Sequence, residues 1–123
     1  MSPTNPLRIL VVEDEYMVAT ELRRALQAAD YEVMGPVATV AAALALMAET
    51  LPDAGVLDYG LRAETSTPVA QALRDQNVPF LVSSAYKTEA FGWHQAFKGI
   101  LNVSKPVQEE ELLSALNSIL QPR

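Results

Sequence analysis

The chain has 123 residues, a net charge of −6 and no cysteine, and half of its residues are hydrophobic. This length and composition predict one folded domain and exclude a disordered chain. The absence of cysteine excludes disulfides and thiolate metal sites, and the scattered Lys and Arg residues argue against direct nucleic-acid binding. No apolar stretch is long enough to span a bilayer and the first residues do not resemble a signal peptide, so we expect a cytoplasmic protein.

Short β-rich apolar runs alternate with helical patterns along the chain. The runs predict strands at Arg8–Val12, Tyr31–Gly35, Ala54–Asp58, Pro79–Ser83 and Gly99–Val103. The helical patterns predict helices at Glu15–Ala29, Val40–Glu49, Pro68–Asp75 and Val107–Leu120. A short, irregular helix is expected in Lys87–Phe97, because Gly92 interrupts it. This alternation predicts a parallel sheet with helices on both faces, in the flavodoxin-like (βα)5 arrangement with strand order 2-1-3-4-5.

Local signals indicate where some helices begin and which face they bury. Thr39 is a candidate N-cap for the second helix, with Leu44 and Met47 facing inward. Thr67 followed by Pro68 is typical of a cap and a first helical residue. The acidic run at residues 109–111 suits the beginning of the last helix, where carboxylates interact favourably with the helix dipole.

Polar residues end four of the predicted strands or follow them directly. They are Glu13-Asp14-Glu15, Asp58, Ser83-Ser84-Ala85 and Ser104-Lys105-Pro106. In a parallel sheet the carboxyl ends of the strands share one edge, which is where ligands bind in open α/β folds. Carboxylates, a hydroxyl and an ammonium group at one edge suit a divalent cation with a phosphoryl group beside it.

Each of these residues also has a purely structural interpretation. Glu13 and Asp14 suit a solvated beginning of a helix, Asp58 suits a turn cap, and Lys105 suits a surface charge before a helix. Four such coincidences at one sheet edge are harder to accept than one shared site, so the site is the preferred interpretation.

The four segments together resemble the response-regulator receiver domain of two-component signalling, over about Leu7–Leu120. The resemblance implies that Asp58 accepts a phosphoryl group from a phosphohistidine, with Mg²⁺ as cofactor. It implies that Asp14 and Asp58 bind the cation directly, that Glu13 acts largely through water, and that the backbone carbonyl of Gly60 completes the ligands.

The resemblance also assigns the groups that surround the phosphoryl group. Lys105 is expected to pair with Asp58 before transfer and with a phosphoryl oxygen afterwards. The Ser84 hydroxyl and the backbone N–H of Ala85 are expected to donate to other phosphoryl oxygens. The Lys105-Pro106 bond is expected to be cis, as the family turn requires and as an X–Pro bond permits.

The chain departs from the family pattern in two places. Asn102 occupies the usual position of a switch aromatic three residues before the lysine, and Tyr86 is a hypothetical replacement. The loop after Asp58 has Arg62 and Ser66 where many relatives have proline and glycine, so another loop shape is expected there. Arg62 either approaches the phosphoryl group or faces water, and the sequence favours water.

We expect a single receiver domain over residues 1–123, with a core at about 7–121 and an N-terminal tail at 1–6. Its expected partners are a histidine kinase or histidine phosphotransfer protein and a downstream protein target. Apart from self-phosphorylation and slow autodephosphorylation, no enzyme activity is expected. A monomer is expected, or a weak dimer through the last strand and its neighbouring helices, where Phe91, Trp93 and Phe97 lie. His94 is expected to be a packed or exposed helix residue rather than a ligand.

Three alternatives remain at this level. The chain can be an interaction module that keeps the receiver fold and signals without phosphorylation, which the missing aromatic favours. A phosphatase of the haloacid dehalogenase type is disfavoured, because Gly60 stands where that family needs a second aspartate. The chain can also be a receiver domain cut from a larger protein.

Overall fold

A computed structural model describes residues 5–84 and 95–121 of the chain. In chain order the strands are β1 Arg8–Val12, β2 Glu32–Val37, β3 Ala54–Asp58, β4 Gly60–Leu61, β5 Glu64–Thr65, β6 Phe80–Ser84 and β7 Asn102–Ser104. The helices are α1 Tyr16–Ala28, α2 Val40–Glu49, α3 Thr67–Asp75 and α4 Glu109–Leu120, and a 3₁₀ turn spans Gln95–Phe97. The expected irregular helix at Lys87–Phe97 falls largely outside the described residues.

Five of the strands form one parallel sheet in the order β2-β1-β3-β6-β7. The strands β4 and β5 belong to a separate antiparallel hairpin. Counting only the strands of the main sheet, this is the predicted order 2-1-3-4-5, so the flavodoxin-like prediction is confirmed. The connections from β1 to β2, from β2 to β3 and from β3 to β6 each pass through a helix, as is usual for parallel strands.

Apolar side chains alternate between the two faces of the sheet and bury a layer of helices on each. Leu10 and Val12 pack on the face that α2 and α3 cover. Ile9 and Val11 pack on the opposite face, against α1 and α4. All four side chains are fully buried, and each such burial stabilises the fold by about 1.5–3 kcal/mol. A double-sided core of this kind holds the strands in a fixed register.

The register brings the carboxyl ends of the strands to one edge. Asp58 at the end of β3 is paired with Ser83 of β6. Ser84 at the end of β6 is paired with Ser104, the residue before Lys105. The site residues predicted at the ends of these strands therefore lie at neighbouring positions of the sheet.

The second strand is longer than the sequence predicted and begins one residue later. The expected strand stopped at Gly35, since glycine followed by proline usually interrupts a strand. In the structure Gly35 has φ of +101°, and a Cβ there would lie 2.8 Å from the Val37 backbone nitrogen. Glycine therefore lets the chain bend within β2 and continue to Val37, whose carbonyl accepts from the Glu13 N–H at 2.9 Å.

Two predictions about helices are wrong. Leu44 is 37 % exposed, because the buried stripe of α2 runs through Ala43 and Met47. In an alanine-rich helix the small residues pack closely on the sheet, and the pattern of large residues misplaces the buried face. Thr67 is the first residue of α3, and Ser66 is its cap. The Ser66 carbonyl accepts from the N–H groups of Val69 and Ala70.

The strands β1 and β3 and the helix α2 have the predicted bounds, and the remaining predicted boundaries shift by at most three residues. The acidic run at residues 109–111 forms the first turn of α4, as predicted. The cap at Thr39 is confirmed, since its side chain accepts from the Ala42 N–H at 3.1 Å. Within the described part of the chain, no helix combines the length and the apolar character that a membrane crossing needs.

Replacing Thr39 with alanine removes this capping hydrogen bond. We expect Thr39→Ala to lower the free energy of unfolding by about 1 kcal/mol, since one helix N–H then lacks its partner. Thr39→Ser keeps the hydroxyl and is the matched control, with a smaller loss. Urea unfolding followed by circular dichroism measures both variants, and equal stability of Thr39→Ala and wild type would contradict the capping role.

Candidate functional site

Three carboxylates meet at the carboxyl edge of the sheet. Glu13 and Asp14 follow β1, and Asp58 is the last residue of β3. One carboxylate oxygen from each lies within 4.8 Å of the others. Glu13 is 3 % exposed and Asp58 is 8 % exposed, whereas Asp14 is partly open to solvent. The edge therefore holds a concentrated negative charge with one accessible side.

Lys105 extends from the end of β7 into this cluster. Its Nζ lies 3.1 Å from Glu13 Oε1 and 3.2 Å from Asp58 Oδ2. The Lys105 backbone N–H donates to the Ser84 carbonyl at 3.2 Å, which fixes the start of the side chain beside the sheet. The Lys105-Pro106 bond is cis, as predicted. One ammonium thus bridges two of the three carboxylates.

Burial and the neighbouring charges shift the pKa values of the residues in this cluster. Burial, and next the charge of Asp58, raise the pKa of Glu13 to about 7. Burial also raises the pKa of Asp58, against the opposing effect of Lys105. Burial alone lowers the pKa of Lys105, but the charges of Asp58 and Glu13 outweigh burial and raise it. The lysine therefore stays protonated, and the carboxylates hold their negative charge only at a cost.

These residues fit a divalent cation. Carboxylate oxygens are hard ligands of the kind that Mg²⁺ prefers, and Mg²⁺ sites in proteins commonly use one or two carboxylates together with waters. The three oxygens lie close enough to share one ion. Burial, and next the charge of Asp58, raise the pKa of Glu13, and an added positive charge would favour the ionised carboxylates. Gly60, whose carbonyl was predicted as a further ligand, lies exposed two residues after Asp58, at the beginning of β4.

The loop after Asp58 forms a hairpin that the sequence did not predict as such. Gly60 pairs with Thr65 and Leu61 pairs with Glu64, which leaves Arg62 and Ala63 as the turn. Arg62 Nε lies 4.0 Å from Asp14 Oδ2, and the Arg62 side chain is 86 % exposed. Arg62 therefore faces water, as the sequence favoured, and at the same time stands beside the acidic cluster.

Ser84 is buried at the end of β6, one residue beyond the partner of Asp58. The neighbouring Ser83 is fully buried as well, and its hydroxyl has no hydrogen-bond partner in the structure as described. Asn102, which stands where the family usually has a switch aromatic, is half-buried in β7 and pairs with Val82.

Several predicted residues lie outside the described parts of the chain. They are Ala85, Tyr86, Phe91, Trp93 and His94. Phe97 is described and is a core residue, 2 % exposed, with its ring 5.2 Å from that of Tyr59 and 6.3 Å from that of Phe80. It is therefore unavailable to the partner surface that was considered for the aromatic residues of this region.

Comparison with known proteins agrees with this geometry. The family model described as "Response regulator receiver domain" matches residues 9–117. A search of curated protein sequences finds no match.

Several solved structures resemble the chain over nearly its whole length. The BeF₃-activated conformation of SdrG from Pseudomonas melonis Fr1 is 33 % identical, with a TM-score of 0.78 over 97 % of this chain and 100 % of that one. The Vibrio cholerae chemotaxis protein CheY4 is 25 % identical, with a TM-score of 0.81 over 94 % of this chain and 99 % of that one.

The response regulator PhyR from Brucella abortus is 21 % identical, with a TM-score of 0.80 over 94 % of this chain and 48 % of that one. This chain spans about half the length of PhyR, and at that identity the likeness concerns the fold alone. The family match and the likeness to SdrG support more than a shared fold, because both cover the segments that carry the acidic cluster and Lys105. The chain therefore belongs to the response regulator receiver domain family.

Proposed function

We propose that this receiver domain accepts a phosphoryl group on Asp58 from a phosphohistidine donor, with Mg²⁺ as cofactor. The donor is a histidine kinase or a histidine phosphotransfer protein, and the phosphorylated domain binds a downstream protein target differently or serves as a phosphate sink. The observation that carries the proposal is the pairing of Lys105 with both Asp58 and Glu13, beside Asp14, at 3.1 to 3.2 Å. This arrangement brings together the Asp58 carboxylate as nucleophile, the Lys105 ammonium group, and the carboxylates of Glu13 and Asp14 as further oxygen ligands.

The transfer is a nucleophilic displacement at phosphorus. A carboxylate oxygen of Asp58 forms a bond to phosphorus while the P–N bond to the donor imidazole breaks, and the electron pair of that bond stays on nitrogen. Such a reaction depends mainly on positioning and on neutralisation of charge. Lys105 supplies a positive charge 3.2 Å from Asp58 Oδ2 before transfer, and we assign it to a phosphoryl oxygen afterwards.

The acidic residues divide the binding of the cation between them. Asp14 and Asp58 are assigned as direct ligands, Glu13 as a ligand largely through water, and the Gly60 carbonyl as the remaining protein ligand. When bound, Mg²⁺ supplies positive charge to the phosphoryl oxygens. Glu13 has a second task in the protein itself, since its two oxygens lie 3.1 and 3.4 Å from Lys105 Nζ and hold that ammonium beside Asp58.

The remaining contacts to the phosphoryl group are assigned to the Ser84 hydroxyl and the Ala85 N–H. Ser84 is suitably placed at the end of β6, next to the strand that carries Asp58. The phosphorylated state is read by a protein partner. We assign no direct nucleic-acid or membrane partner, a cytoplasmic location, a monomeric or weakly dimeric state, and no activity beyond self-phosphorylation and slow autodephosphorylation.

The acceptor role predicts that acetyl phosphate with Mg²⁺ adds one phosphoryl group to the wild-type protein. Asp58→Asn removes the nucleophilic oxygen, so we expect the label to disappear. Asp75→Asn is the matched control and should leave labelling unchanged. Asp75 is an exposed acid on α3 whose carboxylate accepts a hydrogen bond from the Gln71 side chain. Intact-protein mass spectrometry measures the label. Equal labelling of wild type and Asp58→Asn would contradict the proposal, and equal partner affinity of the two would favour a phosphorylation-independent interaction module.

Cation binding should weaken as the pH falls. Because the pKa of Glu13 is raised to about 7, a proton competes with the cation at acidic pH, and the raised pKa of Asp58 acts in the same direction. We expect the apparent affinity for Mg²⁺ to fall by roughly tenfold from pH 8 to pH 6.

Titration calorimetry on cation-free protein at the two pH values measures this effect. Glu13→Gln cannot titrate at that position, so its affinity should depend less on pH than that of wild type. An affinity of wild type that is the same at both pH values would show that the carboxylates of the cluster do not exchange protons for the ion.

A further inference from the structure

We propose that Arg62 is a second cation of the phosphoryl site, which pairs with Asp14 in the resting protein and binds the phosphoryl group once it is on Asp58. The proposal rests on the acceptor role of Asp58 given above. It assigns to the hairpin of β4 and β5 a direct part in holding the product of the transfer.

The first argument is the distribution of charge around the three carboxylates. Lys105 is engaged with Glu13 and Asp58. Within residues 5–84 and 95–121, Arg62 is the other basic side chain paired with this cluster, through Asp14. Two cations thus approach different carboxylates of one acidic cluster, Lys105 from the end of β7 and Arg62 from the turn of the hairpin.

The second argument is that the backbone of the hairpin is anchored. Leu61 is 7 % exposed and belongs to the core on the α2 and α3 face. The Val40 N–H at the beginning of α2 donates to Glu64 Oε2 at 3.0 Å. The Ser66 N–H donates to the Tyr59 carbonyl at 2.9 Å and closes the base of the hairpin. The turn that carries Arg62 is therefore held at a fixed place beside the site.

The third argument is that the Arg62 side chain is free to change partners. It is 86 % exposed, and its 4.0 Å distance from Asp14 corresponds to a weak, solvent-screened pair. Once a cation engages Asp14, the guanidinium loses this attraction without any rearrangement of the core. A phosphoryl group on Asp58 then offers a stronger acceptor, since guanidinium binds phosphate oxygens with two parallel hydrogen bonds.

An arginine at this position differs from a proline in the positive charge that it carries. A proline would fix the turn but would contribute no charge. Arg62 adds one positive charge four residues after Asp58, on a segment that is independent of Lys105. The expected consequence is tighter retention of the phosphoryl group, with little contribution to binding of the cation itself.

Beryllofluoride, which mimics an aspartyl phosphoryl group, tests the proposal in the presence of saturating Mg²⁺. We expect Arg62→Ala to raise the beryllofluoride concentration for half-saturation by about fivefold, as removal of one exposed ionic contact implies. Arg62→Lys keeps the charge but cannot form two parallel hydrogen bonds, so its half-saturating beryllofluoride concentration should lie between those of wild type and Arg62→Ala. Fluorine NMR of the bound group measures the occupancy.

Two controls separate the role of Arg62 from general effects. Arg8→Ala removes the same charge at the opposite end of the sheet, where Arg8 pairs with Glu32, and should leave beryllofluoride binding unchanged. Binding of Mg²⁺ alone should be at least as tight in Arg62→Ala as in wild type, since a competing positive charge is gone. Thermal unfolding confirms that each variant is folded.

The outcomes distinguish the two proposals. If wild type binds beryllofluoride and Arg62→Ala binds it equally well, the role of Arg62 is overturned and the acceptor role of Asp58 stands. If Arg62→Ala loses affinity for Mg²⁺ alone by the same factor, Arg62 supports the cation site and not the phosphoryl group, which also overturns the inference. If wild type itself binds no beryllofluoride, both proposals fail.

Discussion

The pairing of Lys105 with Glu13 and Asp58 is the interaction on which the site depends. Two carboxylates that are 3 % and 8 % exposed cannot both carry charge at the edge of a core without compensation. Burial of an unpaired charge costs several kcal/mol, and removal of one partner from a buried pair leaves the other uncompensated. Lys105 supplies one positive charge for two acids. The remaining negative charge suits an added cation.

The parallel sheet is the reason that this pairing can form at all. Lys105 and Glu13 are separated by 92 positions in the sequence, yet their side chains touch. Parallel strands place all their carboxyl ends at one edge, and the double-sided core keeps the strands in register. The hairpin of β4 and β5 adds a further element to the same edge, anchored in the core by Leu61. Site and scaffold therefore share the same structural constraints.

The sequence predicted the fold well because its pattern is regular. Two of the five main strands have the predicted bounds: β1, an apolar run that Glu13 follows directly, and β3, an apolar run that ends in Asp58. The prediction failed where two influences compete. In β2 the glycine and proline signals suggested an end, but pairing with β1 outweighed them and the strand continues to Val37. In α2 the large residue Leu44 was expected inside, but close packing of Ala43 turned the helix so that Leu44 is exposed.

The sequence by itself determined which residue types follow the strands, and hence that carboxylates, hydroxyls and one lysine are available at one edge. Only the tertiary structure decided which of them touch, because distances between segments depend on register and packing. It placed Lys105 between Glu13 and Asp58 and left Asp14 to Arg62. No local sequence pattern predicts the contact between Arg62 and Asp14, because Arg62 lies in a two-residue turn between two short strands. The position of this turn depends on the buried Leu61 and on the hydrogen bond between Glu64 and the beginning of α2.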